Sequence, residues 1–68
     1  MIEKKFNQNT KTMTVFCGYG ESLYEVGAVN MERNVCVMMA TPPIGKVSSF
    51  YVVWAQALLE VANMATTY

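Results

Sequence analysis

A chain of 68 residues holds one domain at most, and at 53% hydrophobic and 15% charged its composition is that of a folding chain. Five Lys and Arg balance five Glu, while His and Asp are absent. That removes Ser-His-Asp and Cys-His nucleophile pairs and the strong basic field of a non-specific nucleic-acid binder. Cys17 and Cys36 are too few for a disulfide-stapled domain of this size or for a zinc site of four Cys and His ligands.

Residues 1–11 hold Lys4, Lys5, Asn7, Gln8, Asn9 and Lys11, with Ile2 and Phe6 as apolar points. They read as a flexible arm or a short edge strand, with a turn favoured at Asn7–Thr10. Thr12 to Cys17 alternates Thr12, Thr14 and Phe16 with Met13, Val15 and Cys17, the period of a strand. Gly18-Tyr19-Gly20-Glu21-Ser22 then breaks the pattern as a turn.

Leu23 to Asn30 predicts a second strand, with Tyr24, Val26 and Ala28 on one face and Leu23, Glu25, Gly27 and Val29 on the other. Gly27 inside it signals a bulge or a close approach by another backbone. Met31 to Asn34 reads as a hairpin connection without the Asn-Gly pair that fixes a tight turn. Val35 to Ala40 is apolar on both faces, which predicts a strand that is central or covered on both sides. Pro42 and Pro43 end it.

The last element is a helix over residues 48–66, with Ser48 or Ser49 as its N-cap. Ser49, Gln56, Glu60, Asn63 and Thr67 fall in one polar stripe. Phe50, Trp54, Ala57, Val61 and Ala65 form an apolar stripe suited to lie on a sheet. Val52, Ala55, Leu59 and Ala62, spaced three, four and three, form a second apolar stripe. Its alanines would admit a second helix closely, so the expectation is a homo-oligomer, a dimer or higher, with these four residues at the interface. The competing arrangements are a sheet that curls round the helix and buries both stripes, and a second stripe that meets a foreign partner and makes the oligomer unnecessary.

The predicted fold is therefore α+β: an antiparallel β-meander of three strands over residues 12–40, or four with residues 1–11, followed by one C-terminal α-helix packed on the sheet. The whole chain, 1–68, is read as a single domain. Phe50 to Ala65 is too short, and interrupted by Glu60, for a membrane span. With no signal-peptide pattern over residues 1–14, the expectation is a cytoplasmic location with both thiols free; if phage-encoded, the host cytoplasm.

No catalytic set, metal site or cofactor motif emerges, so the chain reads as non-enzymatic. Glu60 would be a general base only if buried, and its polar stripe places it in water. Three loop-tip side chains are the candidates for partner or ligand binding: Tyr19 between two glycines, Arg33 in the hairpin connection, and Lys46 before the helix. There helix N–H groups and the ammonium would favour an anion. The methionines suit an adaptable surface or fill the core. By analogy from size and composition, the leading expectation is a phage- or mobile-element-type inhibitor that blocks a host protein or defence system, anti-CRISPR-like. The alternatives are an oligomeric sponge for a small signalling nucleotide, and a small nucleic-acid-binding regulator using Lys4, Lys5 and Lys11.

Overall fold

The computed structural model describes residues 1–66. Four antiparallel strands are followed by one helix: β1 Ile2–Asn7, β2 Thr12–Tyr19, β3 Ser22–Asn30, β4 Val35–Met39 and α1 Ser48–Met64. The sheet order is β1-β2-β3-β4, a meander in which every neighbour in sequence is a neighbour in space. Residues 1–11 thus form an edge strand and its turn, and α1 ends at Met64, short of the expected residue 66. No helix among the described residues is long and apolar enough to cross a membrane.

Local chemistry closes each hairpin. Asn7 Oδ1 accepts from the N–H groups of Asn9 and Thr10 at 2.9 and 3.3 Å. Asn30 Oδ1 repeats this with Glu32 and Arg33 at 3.0 and 3.1 Å. Lys11 and Asn34, each four residues after its asparagine, take the left-handed conformation at φ 59° and 57°. Both loops are therefore four-residue connections started by an asparagine side chain that imitates a backbone turn. The β2–β3 link is tighter than the turn expected over residues 18–22: Gly18 and Tyr19 belong to β2 and Ser22 to β3, Tyr19 pairs with Ser22, and Gly20 at φ 62° supplies the first central residue of a type II′ turn.

The core lies between the sheet and α1. Val15, Cys17, Val26, Val29, Phe50, Trp54, Ala57 and Val61 form one buried cluster, and full burial of a valine or phenylalanine contributes about 1.5–3 kcal/mol over exposure. The helix stripe expected to meet the sheet does so, with Ala65 half-buried just beyond the helix end.

Three expectations need correction. First, the faces of β3 are not a plain alternation. Val15 pairs with Gly27 and Phe16 with Glu25, so Val26 is an extra, bulged residue. The bulge shifts the parity: Tyr24, Val26 and Val29 all pack on the helix side, while Ala28 lies beside Thr14 and Met38 outside that cluster. Gly27 also faces the helix, where a Cβ would stand 3.0 Å from Val61 Cγ2 and 3.0 Å from the Met38 carbonyl oxygen.

Second, β4 is neither central nor fully covered: it is an edge strand with Val37 and Met39 exposed. Val37 is itself a bulge residue, because Ala28 pairs with Met38 and Val29 with Cys36. Third, neither serine caps α1. Val47 holds the N-cap position in extended conformation with no side-chain bond, and its carbonyl accepts from the Phe50 N–H at 3.0 Å.

Candidate functional site

The end of the molecule that carries the β2–β3 turn also carries the β4–α1 connection and the first turn of α1. Phe50 is the hub that joins them. Its ring makes edge contacts with Tyr24 at 5.2 Å, Tyr51 at 5.3 Å and Tyr19 at 5.7 Å between centroids. Edge-to-face pairs of this kind contribute beyond their buried area.

Lys46 joins this cluster. Its Nζ stands 5.2 Å from the centroid of the Tyr24 ring. The neighbouring Lys46 ammonium, and secondarily Ser22, pull the Tyr24 phenol below its ordinary pKa. The Tyr24 phenol in turn holds the Lys46 ammonium above its own. The Lys46 charge is thus engaged by an aromatic neighbour.

Tyr51 braces the connection. Its hydroxyl donates to the Pro43 carbonyl at 2.6 Å and accepts from the Lys46 N–H at 3.2 Å. Between those two residues lie only Ile44 and Gly45, and Gly45 has φ 77°. The phenol oxygen therefore bridges the first and fourth residues of a β-turn, where a direct backbone bond would otherwise run. Pro42 and Pro43 restrict the chain leading in. At the tip of this braced turn the Ile44 side chain is 93% exposed.

Of the three loop-tip candidates, Tyr19 and Lys46 come together at this end, both around Phe50 and Tyr24. Arg33 does not. It sits in the β3–β4 turn, at the far end of the nine-residue β3, roughly 25–30 Å away at the rise of an extended strand. Ile44 and Tyr51 were not singled out from the sequence. The signal for Ile44 was a lone large apolar residue between Pro-Pro and Gly, where turns usually carry polar side chains. Tyr51 gave none, because its role depends on a fold-back of five to eight residues.

The rest of the surface is quieter. Lys4 Nζ meets Glu60 Oε1 at 3.2 Å, both partly exposed, and Lys5 Nζ lies 5.5 Å from the Phe16 ring centroid. Cys17 is buried, which raises its thiol pKa. Cys36 is half-buried, and its thiol donates to the Met38 carbonyl at 3.3 Å. Both are free. No cleft and no group of three metal-ligating side chains occurs among the described residues. No protein-family model, curated protein or solved structure matches the chain.

Proposed function

We propose that this chain is a non-enzymatic binding domain that attaches to a protein partner through its braced end, with Ile44 as the anchor and Tyr19 and Lys46 beside it. In its finer form the proposal is a phage- or mobile-element-type inhibitor that blocks a host protein or defence system, as anti-CRISPR proteins do. The observation that carries the reading is the Ile44 turn. A β-branched apolar side chain stands almost wholly in water on a loop held by two prolines and by both hydrogen bonds of Tyr51. Rigidity of that kind lowers the ordering cost of binding, and a pre-set apolar side chain is the form an interface anchor takes.

The projection also favours a protein over a small molecule, because small-molecule sites are concave. The nucleic-acid alternative is weakened by the engagement of Lys4 with Glu60 and Lys5 with Phe16 in a regular strand.

The test is affinity capture from lysate of the native host with tagged wild type and with Ile44→Ser, read by mass spectrometry. One host protein enriched by the wild type and lost with the variant is the expected result. Equal recovery by both would contradict the assignment. The inhibitor form further expects the captured protein's own activity to fall when the wild-type chain is added.

A further inference from the structure

We infer that two copies of this chain pair through the outer crest of α1, with the helices antiparallel about a two-fold axis. Val52 and Leu59 are 58% and 63% exposed, and Ala55 and Ala62 are exposed between and after them. Two contacts mark the flanks of the helix. Tyr51 bonds to Pro43 on one side, and Glu60 meets Lys4 on the other. The four residues run along the crest between those flanks, facing away from the sheet. The only charged side chain of the helix is Glu60, so no ionised group lies within the stripe.

The order of sizes along the stripe says what covers it. Spacings of three, four and three are those of the a and d positions of a heptad, with the large residues at a and the alanines at d. An antiparallel copy centred on Ala57 sets Val52 against Ala62 of the partner subunit and Leu59 against Ala55 of the partner subunit. Every layer then joins one large and one small side chain, the alternation that lets facing helices interdigitate without voids or clashes. A parallel copy in register would instead stack Leu59 on Leu59 and alanine on alanine.

The helix ends point the same way. α1 has no acidic residue in its first turn and no basic residue in its last, so its macrodipole is uncompensated within the chain. Antiparallel pairing lays the positive start of each helix beside the negative end of the other. A contact along one 17-residue helix, about 25 Å long, falls short of the roughly 1,000 Å² that a durable interface clears. The dimer is therefore a dynamic one, populated at high protein concentration.

Sedimentation equilibrium from low micromolar to near millimolar protein tests this with three variants. The wild type is expected to rise from 7.6 kDa toward twice that mass. Leu59→Glu and Ala55→Glu are each expected to remain single chains, because each places charge in the contact. The double variant Ala55→Leu with Leu59→Ala keeps one large and one small residue per layer and is expected to dimerise. All four positions are exposed, so circular dichroism should show the monomer fold retained. If Leu59→Glu fails to fold, Ala55→Glu and the double variant carry the test alone. A wild type that stays at a single chain throughout, a dimer indifferent to Leu59→Glu and Ala55→Glu, or a double variant that stays monomeric would each overturn the pairing.

Discussion

Removing one oxygen tests whether the Ile44 turn is held or merely present. In Tyr51→Phe the ring keeps its edge contact with Phe50, while the Pro43 carbonyl and the Lys46 N–H lose their common partner. Each hydrogen bond contributes about 0.5–1.5 kcal/mol net. Tyr51 is half-buried, so water replaces part of that, and the closed turn should lose about 1–2 kcal/mol. Free-energy losses of that size raise the open population roughly five- to thirty-fold. Native-state hydrogen exchange followed by NMR reads this at the Lys46 amide. Its exchange should accelerate by that factor, while amides inside the β2–β3 ladder keep their rates. An unchanged Lys46 rate would refute the brace. A uniform acceleration over the whole sheet would assign Tyr51 to global stability instead.

Gly27→Ala should lower stability by about 1–2 kcal/mol, because overpacking against Val61 and the Met38 carbonyl outweighs the chain entropy gained. Thermal melts should show a fall of about 4–8 °C for each kcal/mol, smaller when Val61→Ala is also present, and strictly additive costs would remove Val61 from the explanation. In the thiol pair, Cys36 should react with a thiol reagent first and Cys17 only on unfolding, since Cys17 is buried and its raised pKa leaves little thiolate; equal rates in the folded protein would contradict this. An ultraviolet absorbance titration should show a tyrosine ionising below the ordinary phenol range in the wild type and back within it in Lys46→Met. The Tyr24 pKa is lowered in the fold, so its stabilising contribution is fully present above the unfolded phenol pKa and is lost as pH falls through the folded one. At neutral pH Lys46→Met should therefore change stability little through this ionisation.

What the sequence disclosed follows its periodicity. The three central runs at 12–17, 23–30 and 35–40 are strands, and Phe50, Trp54, Ala57 and Val61 form the buried side of α1, because those residues repeat at periods that only one backbone form satisfies. Alternation failed where the backbone departs from its period. The bulge at Val26 moved Val29 to the helix side and left Ala28, though buried, on the face away from the helix, and no residue announces such an insertion except Gly27. The apolar run 35–40 reads as central, yet the sheet ends there and one helix covers a single face.

The hairpins show a different limit. The asparagines at 7 and 30 were visible, but their equivalence appears only once Lys11 and Asn34 are both seen left-handed. At the braced end, Tyr19 and Lys46 were found because they are conspicuous side chains beside the glycines that mark connections, although Tyr19 closes β2 rather than standing in the turn. Ile44 and Tyr51 were not, because exposure of one and the hydroxyl bridge of the other are products of the turn that joins them. Thr67, placed in the polar stripe from its spacing, lies outside the described residues.

The claim that this is a binding domain anchored at Ile44 is tested most directly by calorimetric titration of the captured host protein with wild type, Ile44→Ser and Leu59→Ser. Burying an isoleucine contributes about 1.5–3 kcal/mol, which is roughly a ten- to hundredfold change in Kd. Ile44→Ser should weaken binding by that factor, and Leu59→Ser, on the opposite surface of α1 from the sheet, should leave it unchanged. An unaltered Kd for Ile44→Ser, with the fold intact, would contradict the account.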